Sequence, residues 1–489
     1  MFTLSDIRQA CGDSARFYGL ASEETERLFP AAHHDSRQIE PGDLFIALKG
    51  QHVDGHHFIP NAARQGAGGA LCSQPAEDVP PSFLQIVVPD VLQALHAIAR
   101  QRAQRQQGTI FIGITGSNGK TSTKEAIATV LSRQAPTLKT FASYNNEIGY
   151  PLTLLRLEPQ HRYAVLEMGA QWVGELAWLC RTIARPHWSV ITNVGSAHLE
   201  FFKSVEGIVQ AKGELVEALP PDGIAFLNYD DPRVRGMAAR TQARVVYYGT
   251  GEQAEVRAIP DGGDPLRGRR FLLSYHGEQC PVQLHIPGDH GIYIALAAAA
   301  VGCAAGLPLA EIRAALESLA PVKGRGEIKP GPNGSTLIDD SYNASAESII
   351  AIARAMQATP VEEGGRRWAV LGDIFELGPH AEREHRRAGE ALGGLVDYVV
   401  AIGDQARHYV EGARAAGLPL ERTHYFPADP HDRSALEEAK RAAAALLMAE
   451  VQPADLVLLK GSRGMAMETM LKLWSAEPGA SAGRTGGPQ

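Results

Sequence analysis

The seven residues Thr115-Gly116-Ser117-Asn118-Gly119-Lys120-Thr121 place two glycines, a lysine and four small polar side chains in one short loop. Glycines let backbone N–H groups turn toward an anion, and the helical pattern from Ser122 adds the positive end of its dipole. Lys120 is long enough to reach terminal phosphates, and the Thr121 hydroxyl suits Mg²⁺. The strict G-x-x-x-x-G-K-T pattern fails, because its first glycine falls on Ile114. A lone G-K-T is as readily a glycine-rich turn between a strand and a helix. The apolar run Ile110 to Ile114 ahead of the loop and the helix behind it favour a nucleotide site.

Phosphate chemistry calls for oxygen and nitrogen ligands at the carboxyl ends of neighbouring strands, where the loops of an open parallel sheet converge. Glu167 follows the run Tyr163 to Leu166, and His198 follows Ile191 to Ala197. Singly, such residues are more often caps or hydrogen-bonded structural groups. Two of them beyond sheet strands, downstream of a phosphate loop, favour the ligand reading. Lys212 reads differently, since a protonated lysine has no lone pair for a metal; its spacing alone suggests a solvated helix face.

The elements that must position these groups form two alternating series. Strand-like runs at Ile110 to Ile114, Tyr163 to Leu166, Ser189 to Thr192 and Gly223 to Leu227 alternate with helical patterns, as in a parallel sheet with crossover helices. A second series runs Ser335 to Asp339, Trp368 to Leu371, Tyr398 to Ile402 and Leu456 to Leu459. Ahead of both lie a short helix, the runs Leu44 to Leu48 and Leu84 to Val88, and an amphipathic helix from Val91 to Gln107. The 489 residues suggest about three domains at roughly 150 residues each. The expected boundaries are a small α/β domain at 1–85, a central parallel-sheet domain at 86–318, a Rossmann-like α/β domain at 319–475, and a disordered tail at 476–489.

Lys and Arg number 47 against 55 Asp and Glu, a net −8, so the broad basic face that holds nucleic acid is not indicated. The five cysteines are widely spaced with no C-x-x-C pair, which fits a reducing cytosol. The first residues lack the layout of a secretory signal. The Ala-rich stretch Gly291 to Leu307 is shorter than the ~20 residues of a membrane helix and reads as a buried core helix.

With these residues in view, the chain resembles the Mur ligases, ATP-dependent amide-bond ligases of peptidoglycan precursor synthesis, from about residue 33 to 470. TGSNGKT is that family's variant of the phosphate loop. The blocks that carry the likeness include DSR at Asp35 to Arg37, PGDLFIALKG at Pro41 to Gly50, DGHHF at Asp54 to Phe58 and YNNEIGYPLTLL at Tyr144 to Leu155. Further on come LEMGA at Leu166 to Ala170, TNVGSAHLE at Thr192 to Glu200, AKGE at Ala211 to Glu214 and GRGE at Gly324 to Glu327. DDSYNAS at Asp339 to Ser345, LGDIFELG at Leu371 to Gly378 and LKGSRGMAME at Leu459 to Glu468 complete the series. YNNEIGYPLTLL and LEMGA resemble the branch that joins D-alanyl-D-alanine to UDP-N-acetylmuramoyl-tripeptide. The N-terminal blocks argue against a folate polyglutamate ligase. The alternatives are a Mur ligase of an earlier, amino-acid-adding step and a catalytically weak nucleotide-binding homologue.

The resemblance implies a cytoplasmic, monomeric enzyme that uses ATP and two Mg²⁺ ions. Thr121 and Glu167 would hold one ion, and Glu167, His198 and a carbamylated Lys212 the second. Lys120, Lys212, His198 and Arg325 would be catalytic. Thr115, Gly116, Ser117, Asn118, Gly119, Lys120 and Thr121, with Asn145, Asn146, Arg325, Asp340 and Asn343, would bind ATP. Asp35, Ser36 and Arg37, with Lys49 and Gly50, would hold the UDP end of the substrate, although Arg37 could instead pair with Asp35 or Asp43 in a turn. Arg325 and Lys460 would move inward on domain closure. Two departures stand out. The family's G-x-H-N-x-x-N-A block, whose second asparagine helps recognise adenine, reads Gly288-Asp289-His290-Gly291-Ile292-Tyr293-Ile294-Ala295 here, leaving backbone groups, Asn145 or Asn146 as substitutes. Ser345 stands where an asparagine is common.

Overall fold

The computed structural model describes residues 1–19, 26–50, 53–196 and 198–475. The expected disordered tail lies outside the described residues. Three large sheets, besides a two-stranded one of Phe2–Thr3 with Leu28–Phe29, organise the rest, in the α/β architecture expected.

The first sheet has five strands in the order Arg16–Tyr18, Gln85–Val87, Gly69–Cys72, Leu44–Ile46, Ala32–His33, parallel except for the first. The helix Val91–Arg105 leads from it to the central sheet, with Asp90 capping its start by accepting from Gln93 N at 2.9 Å.

The central sheet has nine strands. Its parallel part runs Val256–Asp264, Arg244–Gly249, Ile224–Asn228, Trp188–Ile191, Ile110–Thr115, Tyr163–Glu167, Thr137–Lys139. Strands covered on both faces must be apolar throughout, which is why Ile110–Thr115 and Tyr163–Glu167 read as continuous hydrophobic runs. The antiparallel strands Gly268–Tyr275 and Glu278–Gln283 extend one edge; the sequence pattern did not signal them.

The Ala-rich stretch is a helix, His290–Ala304, buried along nearly its whole length against the helix Lys120–Leu131. Small side chains let the two backbones approach closely. At Gly302 an added Cβ would lie 2.7 Å from Val130 Cγ1, so a larger residue there would push the phosphate-loop helix away.

The third sheet has six strands in the order Glu327–Pro330, Thr336–Asp340, Leu456–Lys460, Arg367–Gly372, Tyr398–Gly403, Thr423–Pro427, parallel except at Glu327–Pro330. Among the described residues no helix is long and apolar enough to cross a membrane.

Candidate active site

A cleft of about 610 Å³ opens between the carboxyl ends of the central strands and the loops of the third sheet. Its floor is the phosphate loop. Gly116 adopts φ +152°, and a side chain there would overlap Thr192 Oγ1; Gly119, at φ +81°, turns the chain into the helix Lys120–Leu131. The loop is braced from the next strand: Asn193 Oδ1 accepts from Asn118 N at 2.9 Å, and Thr192 Oγ1 donates to Asn118 O at 2.7 Å. Lys120 Nζ donates to Gly116 O at 2.8 Å and Ser117 O at 3.4 Å. Burial pushes the Lys120 amine below its ordinary value; Glu167 opposes this, and Arg325 adds to it.

Beside the loop, Glu167 is buried at the end of its strand. Its Oε1 accepts from Thr121 Oγ1 at 3.2 Å and from Asn145 Nδ2 at 2.8 Å. Its Oε2 has no hydrogen-bond partner and lies 3.9 Å from Lys124 Nζ. A buried, unsatisfied carboxylate oxygen next to a threonine hydroxyl is the donor set a hard cation prefers, so these residues fit Mg²⁺. Lys124, wholly buried, anchors the adjoining segment by donating to Thr140 O at 2.8 Å and Ala142 O at 2.6 Å. Sequence reasoning missed it, although it lies four residues after Lys120 on the same helix face.

The opposite wall comes from the third sheet. Arg325 Nη2 donates to Thr121 Oγ1 at 3.2 Å. Its guanidinium lies 4.2 Å from the centre of the Tyr342 ring, and Arg463 lies 5.5 Å from the same ring. The Tyr342 hydroxyl donates to Ser143 Oγ at 2.9 Å, and Ser143 Oγ is 3.4 Å from Thr121 Oγ1. Asp340 Oδ2 accepts from Lys460 Nζ at 2.5 Å, and the same amine reaches Asn343 O at 2.8 Å. Glu347 accepts from Ser196 Oγ at 2.9 Å and from Arg387 Nη2 at 2.6 Å. Burial raises its pKa, but Arg387 and Ser196 outweigh that and hold the carboxyl below its usual value. Tyr342, Glu347 and Ser143 are not among the expected residues, although Tyr342 sits inside DDSYNAS between Asp340 and Asn343, which are.

Ser117, Asn118, Gly119, Lys120, Thr121, Asn145, Glu167, His198, Arg325, Asp340 and Asn343 all line the cleft. Thr115 and Gly116 lie behind it, forming the strand end and the turn. Asn146 is a correction: it does not line the cleft, and its Oδ1 accepts instead from Gly149 N at 3.0 Å and Ile148 N at 3.2 Å, just where the helix Gly149–Leu154 begins. Lys212 corrects another expectation, that of a solvated helix face. It is 2% exposed, and burial first and Lys120 second push its amine well below the ordinary lysine value. His198 meets the carboxylate of Glu376 from the C-terminal lobe.

On the altered segment, His290, Tyr293 and Ile294 face the cleft from one side of their helix. The Tyr293 hydroxyl is turned away to Asp230 Oδ2, at 3.1 Å. Of the open choices for Arg37, the structure takes the Asp35 pair: Nη2 reaches Oδ2 at 2.7 Å and Nε reaches Oδ1 at 2.9 Å. The Arg37 guanidinium holds the Asp35 carboxyl down to about 2. Ser36 accepts from Asn61 Nδ2 at 3.4 Å, the backbones of Lys49 and Asp54 pair in an isolated antiparallel bridge, and Gly50 N donates to Val53 O at 2.9 Å. These five residues stand apart from the cleft, but Gln38 Nε2 donates to Tyr144 Oη at 3.3 Å, one residue before Asn145.

Three domain families match successive parts of the chain: the Mur ligase family catalytic domain over 32–103, the Mur ligase middle domain over 114–302 and the Mur ligase glutamate ligase domain over 324–463. The chain belongs to the Mur ligase family. Among its Mur ligase relatives is the UDP-N-acetylmuramoyl-tripeptide--D-alanyl-D-alanine ligase of Mycobacterium bovis, 38% identical with 95% of this chain and 96% of that one covered. The enzyme of that name from Escherichia coli is 36% identical over 90% and 92%. A crystal structure of MurF from Acinetobacter baumannii superposes with a TM-score of 0.81 at 31% identity, covering 96% of this chain and 98% of that one. The MurF ligase of Thermotoga maritima in complex with ADP gives 0.75 at 28% identity, covering 92% and 98%.

Proposed function

We propose that this Mur ligase joins D-alanyl-D-alanine to UDP-N-acetylmuramoyl-tripeptide, with conversion of ATP to ADP and phosphate, as a cytoplasmic monomer in peptidoglycan precursor synthesis. The observation that carries the reading is the likeness over nearly the whole chain to ligases of that name, with a phosphate loop, a carboxylate and an arginine meeting at Thr121. In this reading residues 1–85 hold the UDP end through Asp35, Ser36, Arg37, Lys49 and Gly50. Residues 86–318 hold ATP, and 319–475 close over it.

The terminal carboxylate of the peptide attacks the γ-phosphoryl group of ATP, forming an acyl phosphate and releasing ADP. The amine of D-alanyl-D-alanine then attacks the acyl carbon, and phosphate leaves. In the first step anionic oxygens approach one another, so preorganised positive charge and positioning supply most of the catalysis. Lys120 and Arg325 provide that charge from opposite walls. Asp340 accepts hydrogen bonds from the ribose, and Asn343 and Asn118 border the nucleotide. Thr121, Glu167, His198 and Lys212 are the residues that would hold two Mg²⁺ ions, which supply charge neutralisation when bound. Burial favours the neutral amine of Lys212, the form that attacks CO₂, which supports its carbamylation. An acyl phosphate hydrolyses in water, and the wall formed by Arg325, Tyr342 and Glu347 excludes solvent.

Phosphate release measured with ATP, UDP-N-acetylmuramoyl-tripeptide and D-alanyl-D-alanine tests the reading. Release is expected only with all three present; equal release when single amino acids replace the dipeptide would overturn it.

A further inference from the structure

One carboxylate stands where the central and C-terminal lobes meet and has no role in the mechanism so far. Glu376 lies in the loop after the strand Arg367–Gly372, and its carboxylate rests against His198 Nδ1. Both residues are held in the left-handed region, His198 at φ 64° and Glu376 at φ 61°. For residues with a Cβ, such conformations are disfavoured and persist only where the surroundings impose them. Here the surroundings are interlobal: Glu200 N donates to Glu376 O at 3.1 Å, and Gly378 packs closely against Glu200, an added Cβ meeting Glu200 Cγ at 3.1 Å. Glu376 is also close enough to Lys120 for their charges to interact. The contact therefore sits beside the phosphate loop.

A neutral imidazole has one lone pair. A carboxylate in contact with Nδ1 favours the proton on that nitrogen and leaves the pair on Nε2, the usual arrangement behind a metal-binding histidine. We propose that Glu376 is a positioning residue that prepares His198 for a divalent cation only when the C-terminal lobe is docked, so that cation capture and lobe closure are one coupled event. By reciprocity, a cation bound more tightly in the docked arrangement favours docking by the same factor. The inference rests on His198 being a cation ligand, as proposed above.

The test is Mn²⁺ binding to the full-length protein with a non-hydrolysable ATP analogue, followed by electron paramagnetic resonance, with a fluorophore pair reporting the distance between the lobes. Glu376→Ala is expected to weaken Mn²⁺ binding roughly 10- to 100-fold and to abolish Mn²⁺-driven approach of the lobes. Glu376→Gln, whose amide oxygen still accepts from Nδ1, should restore part of both. His198→Ala should lose as much as Glu376→Ala, and the double variant should lose no more than His198→Ala alone. Wild-type Mn²⁺ affinity in Glu376→Ala, or additive losses in the double variant, would overturn the coupling while leaving His198 as a ligand. Wild-type affinity in His198→Ala would overturn the ligand reading and this inference with it.

Discussion

The two walls of the cleft are built differently. On the central side, Thr121, Glu167 and Lys124 are buried at strand ends or on a helix that the sheet supports, and apart from Arg325 on Thr121 their partners lie within the same lobe. On the C-terminal side, Arg325, Tyr342, Glu347 and Glu376 are carried on loops or at a helix start, and several of their partners belong to the other lobe. The first wall is preorganised by folding. The second exists as a wall only because one lobe is placed against another. Substitutions on the central side should therefore remove chemistry outright, and those on the C-terminal side should loosen an assembly.

The sharpest break is Lys120→Ala, which removes the cation at the floor. Phosphate release should fall about 10³-fold with the circular dichroism spectrum unchanged. Activity within tenfold of wild type would contradict the loop assignment. Next is acid stability within the C-terminal lobe. His385 is fully buried, accepts from Ile374 N through Nε2, and is pushed down by burial to about 4. Its folded value lies below its unfolded one, so its contribution is present above pH ~6.5 and is lost as pH falls toward 4, on the order of 3 kcal/mol. The neighbouring Asp373 is pushed up by burial to about 6, so its contribution has the opposite sign, present at low pH and lost as pH rises through 6. The two offset each other in wild type. Asp373→Asn should expose the histidine, with a melting temperature that drops steeply between pH 6.5 and 4; a flat profile would rule out the pair.

Lys212→Ala tests the central wall without touching the loop. Activity should fall about 10²-fold and recover in part with added acetate, whose carboxylate stands in for the carbamate. Equal activity with and without the lysine would dismiss the carbamate. Smallest is Tyr342→Phe, which keeps the ring between Arg325 and Arg463 but removes the hydroxyl bonded to Ser143. A loss of about 1 kcal/mol, read as a three- to tenfold drop in kcat/KM, is expected. An unchanged value would show that the ring alone joins the walls.

The central wall was also the more legible one. Strands covered on both faces are continuous apolar runs, and the groups that follow them, Thr121, Glu167 and His198, could be placed from that pattern. The antiparallel strands Gly268–Tyr275 and Glu278–Gln283 gave no comparable signal, because an edge strand alternates with solvent and carries charge. Lys212 looked like a surface residue, since no local pattern distinguishes a lysine facing water from one folded under a sheet. Asn146 looks like a ligand beside Asn145, yet one amide turns to Glu167 and the next to the backbone of Ile148 and Gly149.

From the amino-acid order alone came the three-domain α/β organisation, its parallel sheets and the family, because each depends on residues close together in the chain. Tertiary structure decided the rest: which asparagine faces the cleft, that Arg37 closes on Asp35, that Lys212 loses its water, and that Glu376 reaches His198 across a sequence separation of 178, 376 minus 198. Those outcomes depend on desolvation and on contacts between distant segments, and neither is written in local spacing.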